Sequence, residues 1–443
     1  MYRSGFAVIK YRSEQWLSSM ANARKIAVRA LVDVNKDGSY SNITLNNIFS
    51  SSDLTAVDKS LATTLFYGVL DRMITLDYVL SLFIKTPVKK LSPITRETLR
   101  TAIYQIMYMD RIPQSAAVNE AVKIVKSSKE RYNASFVNGV LRNVLRTGIA
   151  LPQDDSLNSL EIRYSCPKEI ISGFIKDYGI DNAKSLLSQS LLKPPVTLRV
   201  NNVKTTEDKL IETLFEQGIK SYKTDTNNAL IIDGAIDVGN CNAYKDGLFH
   251  IEDLACQKSI EKLSPKSGER VLDMCAAPGG KSFTVAEIME NSGEVLSFDK
   301  YEKRAELINK GKNRLGLDII KTGVCDAQKF NETLGLFDAV LCDVPCSGFG
   351  VIRRKPEIKY KGIEDFLNLQ KIQSEILNNA SHYLKANGRI LYSTCTLRRA
   401  ENEDIVKAFL DKNTNYELQY EHTYMPHIDG TDGFYCALIK KSR

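Results

Sequence analysis

The 443-residue sequence has little of several residue types, and each scarcity excludes something. Its four histidines, His250, His382, His422 and His427, show no zinc-ligand spacing. Its nine cysteines contain no Cys-x-x-Cys pair, are too sparse for a disulfide framework and are odd in number, so they read as reduced thiols. No run approaches the roughly 18 consecutive apolar residues of a membrane span. The 25 glycines and 12 prolines are scattered without period, which excludes collagen-like and low-complexity chains. The first residues lack an apolar core followed by a small-residue cleavage site, so no secretory signal is read. Met20, followed by Ala-Asn-Ala-Arg-Lys, reads as an alternative start, with residues 1–20 as an extension. These features together predict a cytoplasmic protein with no membrane partner and no metal, and a monomer is expected.

What is present is ample core-forming material. The chain is 43% hydrophobic and 26% charged, and its length suits about three domains of roughly 150 residues each. The charge is uneven. Residues 1–150 carry 21 Lys and Arg against 11 Asp and Glu, whereas the remainder carries 39 against 42. A basic excess confined to one end points to a polyanionic partner met by that end, nucleic acid before membrane.

Helical spacing dominates residues 21–150. Ile26, Val28, Leu31 and Val34 start one run, stopped by Asp37-Gly38. Ser52-Asp53 is placed to cap a second, with Leu61, Leu65, Phe66, Val69 and Leu70. Three more begin at Pro93, after Pro113 and near Phe136; the last carries Arg142 and Arg146 as candidate RNA contacts. The segments "DRIPQSAAVNEAVKIVK" (110–126) and "ASFVNGVLRNVLR" (134–146) resemble the NusB family of RNA-binding bundles. A plain helical domain with a solvated basic face is the alternative.

Residues 151–250 mix the two periods: an amphipathic helix over 167–179, a strand over 194–201, a helix ending at Gly218 and a strand over 229–234. This predicts a small α+β, RRM-like module. From 251 to 443 strands and helices alternate. The apolar strands 270–275, 294–300, 337–345 and 388–396 predict a doubly wound, Rossmann-like parallel sheet.

The chemistry-bearing residues stand where those strands end. "DMCAAPGGKS" (273–282) fails as a Walker A loop, because Cys275 occupies the first glycine position. It also lacks the glycine triad of a dinucleotide loop. What remains is a nucleoside-type pocket built from Cys275, Ala276, Ala277, Pro278, Gly279, Gly280 and Lys281. Asp299 ends the next strand, where an acid binds ribose hydroxyls, and Asp326 follows a third strand, placed to accept from an adenine amino group. The three together predict S-adenosylmethionine. Cys346 in "DVPCSG" and Cys395 in "STCT" sit at two further strand ends. A sulfur nucleophile suits cytosine C5, whose methylation needs prior addition at C6; an acid near N3, here Asp343, assists that addition. Arg353 and Arg354 in "RRKPE" are placed to hold RNA phosphates.

The segments "FHIEDLACQ", "LDMCAAPGGKS", "CDVPCSGFGVIRRKPEIK", "YSTCTLRRAENE" and "DGFYCALIKK" resemble the NOL1/NOP2/Sun family of RNA cytosine-C5 methyltransferases. With the NusB-like bundle in front, the chain is similar to the bacterial Sun/RsmB branch. The resemblance implies methylation of a cytosine in 16S ribosomal RNA, with Cys395 as nucleophile, Cys346 assisting release, and residues 275–281, Asp299, Asp326 and Asp343 at the cofactor. The same chemistry on tRNA, or a non-catalytic NusB-like RNA-binding protein, are the alternatives. Glu252 and Cys256 depart from the family pattern, which usually has Gln at the first position and a small residue at the second.

Overall fold

The computed structural model describes residues 23–37, 45, 47–49, 54–234, 236–362 and 366–442. The expected extension at 1–20 and the Ser52-Asp53 cap lie outside them. The described chain divides into two compact units. One runs to Ser172 and takes in Lys355–Tyr360; the other comprises Gly173–Arg354 and the chain from Lys361 onward.

The first unit is all helical. Helix Pro93–Tyr108, with proline in its first turn, is buried along most of its length and packs against helices Ala23–Asp37, Ala56–Asp71, Met73–Phe83, Gln114–Lys126 and Ala134–Thr147. Leu31, Leu65, Phe66, Val79, Leu99, Ile103, Val137 and Leu141 form its core. Each such side chain contributes roughly 1.5–3 kcal/mol on burial. Helix Ala56–Asp71 is capped by Thr55, whose hydroxyl accepts from the Asp58 amide at 3.2 Å. Met73–Phe83 lies outside the five expected helices: "MITLDYVLSLF" is too evenly apolar to show a polar face. Lys359 is anchored in this unit, its Nζ donating to the Asp71 carbonyl at 2.7 Å and to its carboxylate at 2.8 Å.

The second unit contains two sheets. Strands β1 (Val196–Val200), β2 (Ser221–Lys223), β3 (Ala229–Ile232) and β4 (Phe249–Ile251) form an antiparallel sheet in the order β2-β3-β1-β4. Helix Glu207–Glu216 packs with this module, and Gly218, at φ 76°, ends it as expected. Helix Lys168–Ser190 is broken at Gly179, where φ reaches 79°.

The large sheet is built from β5 (Arg270–Asp273), β6 (Glu294–Asp299), β7 (Ile320–Val324), β8 (Phe337–Asp343), β9 (Leu384–Thr394), β10 (Tyr416–Tyr424) and β11 (Phe434–Lys441). Its order is β10-β11-β9-β8-β5-β6-β7. Strands β5 to β9 pair in parallel, while β11 runs antiparallel between β9 and β10. The antiparallel pair extends the expected parallel sheet into a mixed one. Both faces are buried: Val271, Val295, Leu341 and Leu391 face one core and Leu272, Leu296, Val340 and Ile390 the other. Double burial accounts for the continuous apolar runs in these strands. The order reverses at β5, which has β6 on one side and β8 on the other, so a crevice opens over their carboxyl ends.

Candidate active site

The carboxyl ends of five parallel strands bring the sequence-predicted residues to one edge. Asp273 ends β5, Asp299 ends β6, Asp343 ends β8, and Cys395 follows β9. Asp326 follows β7 by two residues.

The loop after β5 turns at Gly279, at φ 118°, and opens helix Gly280–Ile288 with no side-chain cap. The uncapped first-turn amides are donors for an anionic group. The loop is secured from beneath. Ser282 Oγ donates to Asp273 Oδ2 at 2.6 Å, and Ser297 Oγ lies 2.8 Å from Ser282 Oγ. The Ala276 amide donates to the Phe298 carbonyl, and Arg304 donates to the Ala277 carbonyl. Burial raises the Asp273 carboxyl to about 7. Asp299 accepts from the Tyr301 amide at 3.2 Å and faces Arg304 at 3.3 Å. Asp326 pairs with Lys300 at 3.1 Å; its slight burial is outweighed by the Gln328 amide and Lys300, which lower its carboxyl.

Lys281 reaches across from the loop to β8, its Nζ 2.8 Å from Asp343 Oδ2. Burial alone would lower the Lys281 ammonium, but Asp343 outweighs it, and the group is held well above its ordinary value. Asp343 Oδ1 accepts from Ser393 Oγ at 2.9 Å. Asp343 is thus fixed from both sides.

The two cysteines meet. Cys346 Sγ lies 3.3 Å from Cys395 Sγ. Adjacent parallel pairing of β8 with β9, with Asp343 opposite Ser393, aligns their loops. The contact with Cys395 and then burial push the Cys346 thiol well up, so it keeps its proton near neutrality. The loops are also joined beside the sulfurs, where Ser347 Oγ lies 2.8 Å from Thr396 Oγ1 and the Gly350 amide donates to the Cys395 carbonyl. Gly350 has no room for a side chain: a Cβ there would meet the Gly433 carbonyl oxygen at 2.0 Å.

Arg353 and Arg354 take a different place from the one the sequence suggested. Arg353 is 5% exposed and its Nε donates to Asp432 Oδ1 at 2.7 Å. Arg354 shares the Asp432 carboxylate and also reaches the Pro195 carbonyl and Asp253. Buried and committed to Asp432, Arg353 holds the loop after Cys346 in place, where the sequence pointed to a phosphate. Arg142 and Arg146 stay exposed on helix Ala134–Thr147, where, among the described residues, they bond to Asn138 and Asn143 of the same helix.

Sequence reasoning assigned no role to Glu401, Gln373, Asp432, Arg199, His250 or Glu287, and it noted Glu252 only as a departure from the family pattern. Glu401, Asp432, His250 and Glu252 stood within the quoted segments "YSTCTLRRAENE", "DGFYCALIKK" and "FHIEDLACQ", which were the available signal; the partners of all of them are set by contacts distant in sequence. Among the described residues, no group of three or more metal-ligating side chains assembles, and no helix is long and apolar enough to cross a membrane.

Comparison with known proteins decides the family. Residues 260–440 match the family of 16S rRNA methyltransferase RsmB/F, residues 21–146 the NusB family, and residues 166–239 the ferredoxin-like domain of RsmF/B-like methyltransferases. The probable ribosomal RNA small subunit methyltransferase B of Bacillus subtilis is 37% identical, covering 95% of this chain and 99% of its own length. The chain belongs to the ribosomal RNA small subunit methyltransferase B family. Its relative from Proteus mirabilis, ribosomal RNA small subunit methyltransferase B, is 31% identical over 95% of this chain and 99% of its own length. The crystal structure of PH0851 superposes with a TM-score of 0.81 at 25% identity, covering 96% of this chain and 100% of that one. The fold is also shared with NSun6 from Pyrococcus horikoshii, solved with SFG, at a TM-score of 0.58, 21% identity and coverage of 62% of this chain and 98% of that one. As a family, these are RNA methyltransferases with a NusB domain, a ferredoxin-like module and a Rossmann-like catalytic domain.

Proposed function

We propose that this protein methylates C5 of a cytosine in 16S ribosomal RNA through a covalent adduct between Cys395 and C6, using S-adenosylmethionine. The observation that carries the reading is the 3.3 Å approach of two thiols on adjacent strand ends beside the crevice. Methylation of an exocyclic amine has no use for paired sulfurs.

The site fits the cofactor. The uncapped amides at Gly280 suit its carboxylate, Asp299 its ribose hydroxyls and Asp326 its adenine amino group. When bound, S-adenosylmethionine supplies an electrophilic methyl group. Cys395, as thiolate, adds to C6 and breaks the C5–C6 double bond, which makes C5 electron-rich. Asp343, held by Lys281 and Ser393, polarises N3 during this addition. After C5 accepts the methyl group, its proton passes to solvent, the C–H electron pair restores the C5–C6 double bond, and the C6–S bond breaks to release the Cys395 thiolate. Cys346, which keeps its proton at neutral pH, assists this release. Residues 21–150 serve RNA binding, 151–250 form the linking module and 251–443 carry the chemistry, in a cytoplasmic monomer.

The test is a denaturing gel after incubation with RNA and S-adenosylmethionine. Cys346→Ala should accumulate a protein–RNA adduct and Cys395→Ala should form none. Bisulfite sequencing of 16S ribosomal RNA from cells with and without the gene should show loss of one modified cytosine. Loss confined to tRNA would move the substrate, and the absence of any adduct would remove the two-cysteine mechanism.

A further inference from the structure

Glu401 is completely buried on the turn after Cys395, and both oxygens of its carboxylate have partners. Its Oε2 accepts from the Ser347 amide at 2.9 Å, next to Cys346, and from Gln373 Nε2 at 3.0 Å. The same Gln373 amide donates to the Pro345 carbonyl at 2.9 Å, on the other side of Cys346. Oε1 faces Arg398 at 3.3 Å, and the Glu401 carbonyl accepts from the Tyr392 hydroxyl at 2.6 Å. One carboxylate therefore grips the backbone on one flank of Cys346 directly and on the other through Gln373. Its own chain segment is the continuation of the Cys395 turn.

We propose that Glu401 is a positioning residue for the two-cysteine reaction: it clamps the backbone on both flanks of Cys346 and so fixes the separation of Cys346 and Cys395. The inference rests on the two-cysteine reading above. A buried carboxylate is costly unless it is fully hydrogen-bonded, and a hydrophobic residue would fill the space at less expense. Three donors, including a backbone amide that no other side chain satisfies, explain its presence as a clamp. The charge adds a second effect. Cys346 faces Cys395, Glu401, Asp343 and Tyr392; Lys281 neutralises Asp343, and Arg398, 38% exposed, only partly offsets Glu401. Glu401 thus adds to the negative surroundings that hold the Cys346 proton while Cys395 acts as the thiolate.

The experiment uses the full-length protein with a transcript of 16S ribosomal RNA and radiolabelled S-adenosylmethionine. Glu401→Ala should lower kcat about a hundredfold, the scale of a misplaced reacting group, with KM for RNA changed less than about threefold. Glu401→Gln keeps an oxygen for the Ser347 amide and should recover most of that loss. It should also move the alkaline limb of the pH profile of kcat to lower pH, because Cys346 loses its proton more readily. A thermal melt establishes that each variant folds; should Glu401→Ala not fold, the Gln variant's pH profile decides. A folded Glu401→Ala with near-normal kcat, or a Gln variant with the wild-type pH profile, overturns the proposal. Absence of an adduct in Cys346→Ala overturns the two-cysteine reading and this inference with it; an adduct there beside normal turnover in Glu401→Ala overturns the inference alone.

Discussion

The helical unit and the sheet unit each bury a four-membered charge network, and the two are built to the same count from different chemistry. In the helical unit Arg100 pairs with Asp77 at 2.7 Å and Glu97 at 3.0 Å, and Arg96 pairs with Glu97 at 2.8 Å. Two guanidiniums balance two carboxylates. In the sheet unit Arg199 pairs with Glu287 at 3.3 Å, and His250 lies between Glu287 at 3.4 Å and Glu252 at 3.5 Å. Here two carboxylates are balanced by one guanidinium and one imidazole. Balance requires His250 to be protonated. Burial alone would lower its affinity for a proton, but Glu287 and Glu252 outweigh burial and raise it to about 9. The first network contains no imidazole; the second contains one, whose charge a rise in pH removes. The second also backs the loop after β5: Thr284, on the helix that begins at Gly280, donates to Glu252 at 2.5 Å.

The largest effect should come from taking an anion out of the sheet network. Glu287→Ala leaves Arg199 and His250 buried without their shared partner and should cost about 3–5 kcal/mol. Arg100→Ala should cost less, about 2–3 kcal/mol, because Asp77 is 28% exposed and water can take over, while Arg96 still faces Glu97. Urea unfolding of both variants measures the difference. Equal losses would mean that burial depth does not distinguish the networks.

The next effect separates them by pH. The folded-state value for His250 lies above the ordinary 6.5, so its contribution is full below pH 6.5 and is lost as pH rises through about 9. Stability of the native protein relative to His250→Gln should therefore shrink across that window. Arg100→Ala should differ from the native protein by a constant amount there, since its network contains no imidazole. Thermal melts at a series of pH values check this; a constant difference for His250→Gln would show that His250 is neutral when folded.

What the sequence revealed follows the same division between local and distant. The Gly279-Gly280 loop, the strand-end aspartates and both cysteines were legible because strand, turn and reactive residue are contiguous. The partners of those residues were not. Ser347 meets Glu401, and Arg353 meets Asp432, only because β8, β9 and β11 lie side by side, which no local pattern records. Arg353 and Arg354 read as a solvated or RNA-binding run for that reason. Helix Met73–Phe83 was hidden by its even apolarity, and the antiparallel β10–β11 edge by tyrosines and charges along β10 that mask alternation.

The smallest effect should come from Glu252, one of the two positions where the sequence departs from the pattern it otherwise resembles. Glu252→Gln removes the charge and keeps the shape of the side chain. Its carbonyl oxygen can accept from Thr284 as Glu252 does, so no buried hydroxyl is left unpaired. Its loss of charge leaves Arg199 and Glu287 as a balanced pair, so a neutral His250 becomes acceptable and the imidazole should release its proton at lower pH. The two changes offset near neutrality, and the net cost should stay below about 1 kcal/mol. The pH dependence of stability should flatten at the same time. Melting curves give the first quantity, and titration of the His250 ring by nuclear magnetic resonance gives the second. A loss comparable to that of Glu287→Ala would show that the network needs both carboxylates, and that Glu252 is a requirement of the fold.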